Sequence, residues 1–161
     1  MGQNALQITL ASTAPIPAGG KVFFTTTEYL AGSISYSDAT GDITLTETGR
    51  YLMNWWMATQ SSVSQNGTAF AFSSSQGDLL EGNSPAKTDE VFCVGIIDVS
   101  VAPVTVSLMN ISTGTIYLSS QVPLQGTLGL HPGQRERGNR PRRARRRSGR
   151  NRSDGLHSPE N

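Results

Sequence analysis

The chain of 161 residues is long enough for one domain of about 100 to 150 residues and a remainder. Its formal charge of +1 conceals a division: residues 1–131 hold 3 basic and 9 acidic side chains, whereas 132–161 hold 10 Arg and 3 acids, with no Lys and no aromatic residue. Both histidines, His131 and His157, lie at or beyond that join, so the body has no imidazole for Ser–His or Cys–His catalysis, and the lone Cys93 excludes an internal disulfide or a cysteine zinc cluster.

The elements follow in chain order. Ala5 to Ala11 alternates, with Leu6, Ile8 and Leu10 on one side and Gln7 and Thr9 on the other, the period of a strand with one buried face. After the breaker Pro15 to Gly20, the run Val22 to Tyr29 is β-branched and aromatic, and Gly32 stops it. Ile34 to Tyr36 and Asp42 to Leu45 flank Ser37 to Gly41, a hairpin loop whose glycine suits a positive φ. The turn Glu47 to Gly49 leads into a long strand from Arg50 to Thr59. There Tyr51, Met53, Trp55 and Met57 point one way and are assigned to the core, while Leu52, Asn54, Trp56 and Ala58 point the other. A Trp beside an Asn is either a singly exposed residue or part of a face that another subunit covers.

Ser61 to Thr68 reads as a polar loop, Ala69 to Phe72 as a strand, and Ser73 to Gly77 as a return. Asp78, Glu81, Asp89 and Glu90 read as loop charges. Further strands are expected over Glu90 to Ser100, with Cys93 a small buried hydrophobe, and over Val104 to Leu108 after the Ala102-Pro103 turn. The last two run from Thr115 to Leu118 and from Gly126 to Leu130. No segment has apolar residues at helical spacing, so the expectation is an all-β antiparallel sandwich or jelly roll of about ten strands over residues 1–130. Residues 131–161 are then a disordered arginine-rich tail.

The segment Asp38 to Tyr51, with its Thr-Gly hairpin and Gly-Arg-Tyr exit, resembles the jelly rolls of the complement first-component globular head and tumour-necrosis-factor-like proteins. Its continuation from Tyr51 to Thr59, with Val99 to Asn110 and Gln121 to Leu128, is similar to the C-terminal domains of bacterial collagen-like surface proteins, including exosporium glycoproteins of spore-formers. The resemblance covers roughly residues 4–130. It implies a ten-stranded jelly roll that forms a compact homotrimer and nucleates or caps a collagen-like stalk on a spore or cell surface, and it brings no catalytic residue. Independently, the body has only 12 charged residues in 131, well under the roughly one quarter of an ordinary soluble domain. Trp56 and Leu52 are therefore the expected trimer-interface residues; the alternative is a Ser/Thr-rich domain that merely tolerates low charge. The loops Ser61–Gly67 and Gly82–Thr88 are candidates for presenting a carbohydrate or protein receptor site.

The tail lacks the glycine at every third place that a triple helix requires. Yet Arg or Gly stands at 137, 140, 143, 146, 149, 152 and 155. A Gly-X-Y gene read one base early puts guanine in the middle of every third codon, which encodes mainly Arg or Gly, so the tail reads as an out-of-frame collagen-like repeat. Taken at face value, Arg140, Arg142, Arg143, Arg145, Arg146, Arg147 and Arg150 form a block that would hold nucleic acid by charge, as in a viral-coat-like jelly roll with a basic arm. That block has no interleaved aromatic residue for base stacking.

Other chemistry is weakly signalled. Asp38 and Asp42 flank a turn and suit Asx turns better than a calcium site. Asn66-Gly-Thr68 and Asn110-Ile-Ser112 match the glycosylation acceptor pattern, which is frequent by chance. No aromatic-flanked carboxylate pair suggests glycoside hydrolysis, and no Gly-rich segment opens a helix, so no enzyme, cofactor or metal is expected. The sequence contains neither a membrane-span-length apolar run nor the basic and apolar regions of a signal peptide. At position 6 stands Leu where an N-myristoylation signal needs Ser or Thr.

Overall fold

The computed structural model describes residues 4–65, 67–86 and 88–133. Its strands are β1 (Ala5–Leu10), β2 (Thr26–Ala31), β3 (Ile34–Tyr36), β4 (Ile43–Leu45), β5 (Gly49–Ser62), β6 (Thr68–Ser74), β7 (Leu79–Ser84), β8 (Glu90–Val99), β9 (Val104–Asn110), β10 (Ile116–Leu118) and β11 (Gly126–Pro132). They form two antiparallel sheets, an all-β jelly roll. One sheet runs β10-β5-β11-β1-β2, with β8 also on β5; the other runs β3-β4-β9-β6-β7. Both β8 and β11 pair with residues 51–57 of β5, so they occupy its opposite edges.

Alternation delivers the core. Leu6, Ile8 and Leu10 of β1, and Tyr51, Met53, Trp55 and Met57 of β5, turn inward with at most 3 % of their surface exposed. They meet Phe70 and Phe72 of β6 and Val106 and Leu108 of β9 across the sandwich. The Trp55 and Phe70 rings sit edge to face, 6.1 Å apart at 66°. In the 37–42 hairpin, Ser37 N donates to Asp42 O and Gly41 N to Ser37 O. Gly41 takes φ 72° there, a region that a Cβ disfavours.

Three departures from the sequence reading have physical causes. Val22 and Phe24 are buried in the core rather than part of a strand. Val22 N donates to Leu108 O of one sheet and Thr25 N to Thr9 O of the other, so the segment crosses between sheets and regular pairing begins only at Thr26. Leu79–Ser84, read as turn and loop, is β7. It lacks β-branched residues, but its whole length pairs with β6, so tertiary pairing overrides local propensity. Finally, β11 continues beyond Leu130: His131 pairs with Leu52, Pro132 with Tyr51, and Gly133 N donates to Arg50 O at 2.7 Å. Arg140, Arg142, Arg143, Arg145, Arg146, Arg147 and Arg150, with the rest of the arginine-rich segment beyond Gly133, lie outside the described residues.

Candidate subunit interface on the six-stranded sheet

The face of this sheet turned away from the core is assembled by register. One row reads Phe92, Trp56, Thr127, Thr9 and Thr26 across β8, β5, β11, β1 and β2. The next reads Val94, Asn54, Gly129, Gln7 and Tyr29. A third brings Ile96 against Leu52 and Leu52 against His131, with Ala5 paired to Ala31 at the far side. None of these positions carries Asp, Glu, Lys or Arg. Charge appears at the ends, where Glu90 stands opposite Ala58 and Asp98 opposite Arg50, and at the β2 edge, where Glu28 accepts from Thr9 Oγ1.

Phe92, Val94 and Ile96 are 68 %, 67 % and 58 % exposed, and Tyr29 58 %. Leu52 and Trp56 lie between them and β11 and are half-buried by these neighbours. The sequence marked Leu52 and Trp56 but missed the β8 ridge. The reason is that both faces of β8 are apolar, so alternation alone does not orient it. The usable signal is size: inward Cys93 and Gly95 are small because Leu80 packs there, and a Cβ on Gly95 would lie 2.6 Å from Leu80 Cδ1. Cys93 is only partly buried, and that burial raises its thiol above its ordinary pKa.

Beside the ridge the surface falls away. Gly129 contributes no side chain, and a groove of about 370 Å³ opens over it, bordered by Gln7, Tyr29, Asn54 and His131. A Cβ on Gly129 would meet Asn54 Oδ1 at 2.6 Å, so the Asn54 side chain leans over this glycine. One sheet face thus carries a bulky apolar ridge and, beside it, a hollow with a mixed polar and apolar lining.

The two poles differ. Asn4 and Gly133 lie together at one: Asn4 donates from Nδ2 to Glu47 Oε2 at 2.7 Å and accepts from Ser33 N at 2.6 Å. The Asn4 Nδ2 bond, with a second from Ser33 Oγ to Glu47 Oε1 at 2.9 Å, holds the Glu47 carboxyl below its usual range. The proposed receptor loops lie at the other pole, about 33 Å away along β5. Ser62 Oγ donates to Gly67 O, Thr68 Oγ1 to Ala86 O and Thr88 Oγ1 to Gln60 O, so the two loops are tied together. Asp89 accepts from Ser84 Oγ at 2.7 Å and from Glu90 N, bonds that lower its pKa.

Of the remaining candidates, Asp42 accepts an ion pair from Lys21 at 2.7 Å. Asp78 accepts from Ser74 and Gln76. Glu81, read as a loop charge, lies within β7. Asn110 is wholly buried, its Nδ2 donating to Ile16 O, Pro17 O and Gly114 O, so its acceptor pattern marks a structural cap rather than an accessible glycosylation site. Asn66 lies outside the described residues.

No protein-family model and no curated protein matches the chain. Solved structures do. The globular domain of zebrafish complement 1qA protein is similar at TM-score 0.63 and 14 % identity, covering 83 % of this chain and 98 % of that one. Murine APRIL at pH 5.0 is similar at TM-score 0.58 and 11 % identity, covering 81 % and 99 %. Murine APRIL at pH 8.5 is similar at 0.58 and 13 %, covering 83 % and 100 %. At such low identities the likeness concerns architecture, and it establishes for this chain the jelly-roll fold shared by the complement 1q globular domain and tumour-necrosis-factor-like proteins.

Proposed function

We propose that the chain is a non-enzymatic head module that forms a homotrimer and caps or nucleates a collagen-like stalk on a spore or cell surface. The observation that carries this reading is the exposed ridge of Phe92, Val94 and Ile96 on an outer face that carries no Asp, Glu, Lys or Arg across the central rows of β8, β5 and β11. A contiguous apolar patch without charge is what a subunit interface requires. A closed three-fold ring is heterologous: the patch on one copy must meet a different patch on the next. Ridge and groove on the same sheet satisfy that condition, the β8 ridge of one copy seating over Gly129 of its neighbour. Burying the exposed parts of Phe92, Val94 and Ile96 would contribute roughly 1 to 2 kcal/mol each per subunit.

The poles fit a stalked head. Chain entering at Asn4 or leaving at Gly133 departs from one end, and the tied loops at 61–67 and 84–89 face away from it, where a carbohydrate or protein receptor would approach. Since the strand register runs to Pro132, we place any change of reading frame into a Gly-X-Y repeat after Gly133. The coding DNA tests this: an alternative frame with Gly at every third codon is expected, and its absence from both alternative frames overturns it.

Light scattering on the full chain tests the assembly. A mass of three chains is expected, and a monomer at tens of micromolar overturns the reading. The arginine block favours a second function, a coat-like module holding nucleic acid by charge. It would show as salt-dependent binding that vanishes when the seven arginines from Arg140 to Arg150 are replaced by Gln.

A further inference from the structure

We propose that the loop between β1 and β2 encloses a binding site for a small neutral aromatic molecule with one hydrogen-bonding substituent, the class to which benzyl alcohol belongs. The site does not depend on the trimer reading, because none of its lining residues belongs to the outer rows described above. It is a hollow of about 180 Å³ bordered by residues 12–23 and by the ends of β1 and β10. Leu10, Ile16, Val22 and Leu118, each at most 6 % exposed, form its floor, and the exposed Pro17 and Phe23 stand at its rim.

The walls are fixed before a ligand arrives. Ile16 and Ile116 exchange both of their backbone bonds at 2.9 Å, Gly19 N donates to Asn110 O and Val22 N to Leu108 O, both at 2.8 Å. Pro15 and Pro17 each hold their own φ. A hollow pinned in this way loses little conformational freedom on binding. Phe23 is 49 % exposed, and its ring is steadied against the 37–42 hairpin, where a Cβ on Gly41 would lie 3.4 Å from Phe23 Cδ1. An aromatic guest in the hollow covers that open ring as well as the aliphatic floor.

Size and polarity set the ligand class. An apolar cavity of about 150 Å³ takes up benzene, whereas drug-sized ligands occupy pockets of about 300 to about 1,000 Å³, so this hollow suits one ring with a short substituent. Only two polar side chains border it, Ser12 and Lys21. The Lys21 ammonium is engaged by Asp42 at 2.7 Å, so the pair is close to neutral and leaves no uncompensated cation to call for an anionic ligand. Ser12 Oγ accepts from Ala14 N at 3.2 Å, and among the described residues its hydroxyl proton has no acceptor, which leaves one donor for the substituent of a guest. A sugar, which needs several such partners around its ring, is not matched by this lining.

Titration of the nitrogen-labelled full chain with benzyl alcohol, read by amide shifts in nuclear magnetic resonance, tests the idea, with benzoate and glucose as comparisons. The expected result is saturable movement of the Ala14, Gly20 and Lys21 amides with a dissociation constant of roughly 0.1 to 1 mM, and binding at least about tenfold weaker for both comparisons. Ser12→Ala should weaken benzyl alcohol about three- to tenfold. Ala14→Phe, at an exposed lining position, should fill the hollow and abolish binding, with thermal unfolding showing that the variant is folded. No saturation by about 10 mM overturns the inference. Benzoate or glucose binding more tightly overturns the ligand class, and undiminished affinity in both variants overturns the location. A trimer that does not bind overturns this inference alone, and a monomer that does bind overturns the trimer reading and upholds the site.

Discussion

Replacing Val94 by aspartate separates assembly from folding. Val94 lies mid-ridge on β8, opposite Asn54, and is 67 % exposed on the single chain. The isolated fold would lose little more than strand propensity, under about 1 kcal/mol. In the ring, each subunit would forfeit apolar burial of about 1 to 2 kcal/mol and bury a carboxylate with no partner, which costs several kcal/mol more. Summed over three interfaces the loss is on the order of 10 to 20 kcal/mol, enough to dissociate any ordinary trimer at micromolar concentration. Val94→Thr keeps the shape and adds only a hydroxyl, so it should stay trimeric. Light scattering gives the mass, and circular dichroism with thermal unfolding shows whether the monomer is folded. An aspartate variant that remains a trimer refutes the interface; one that unfolds outright refutes the outward placement of Val94.

Gly82→Ala should destabilise the fold by about 1 to 3 kcal/mol in urea titration, because the added Cβ would meet Phe92 O at 2.5 Å and Trp55 Cη2 at 2.7 Å; an unchanged midpoint would show that β7 can back away from β8. Asn110→Ala leaves the Ile16, Pro17 and Gly114 carbonyls without their common donor and the Ser112 N–H without its acceptor. A loss of about 1 to 3 kcal/mol in the same assay is expected, and a neutral result would mean that the 11–20 segment repacks. For Glu47 the folded-state pKa lies below its ordinary 4.5, so its contribution is present above that value and is lost as pH falls through the folded pKa. Acid titration of thermal stability should show a component in that window that Glu47→Gln removes, and an identical profile in the variant would count against it.

Elements whose two faces differ in character were legible in the sequence. Leu6, Ile8 and Leu10 against Gln7 and Thr9 give β1, and the inward series from Tyr51 to Met57 gives β5. The 37–42 hairpin was legible through turn chemistry. Legibility failed where tertiary contacts decide. Leu79–Ser84 becomes a strand through its ladder with β6, and Val22 with Phe24 leaves strand geometry to pass between sheets. On the outer face of the six-stranded sheet, Trp56 and Leu52 stood out because Asn54 shares their side. Phe92, Val94 and Ile96 did not, since Val91 and Ile97 on the opposite side are equally apolar, and only the packing of Leu80 on Gly95 decides which set faces out.

The contrast between the two sheets discriminates between the explanations for the low charge of the body. Positions of the five-stranded sheet that alternate with the core include Ser35, Thr44 and Thr105 along one paired row and Ser73 with Ser107 along another. A Ser/Thr-rich domain that tolerates low charge accounts for these rows. The same explanation does not extend to the six-stranded sheet, where equivalent positions carry Phe92, Val94, Ile96, Leu52 and Trp56. The chain also has charge available there: Glu90 and Asp98 take the outward places on β8 just before and after the ridge. An apolar centre closed off by charge at both ends has the anatomy of an interface core within its polar rim. Selection for solubility alone would have placed those acids inside the patch, where they would break it up.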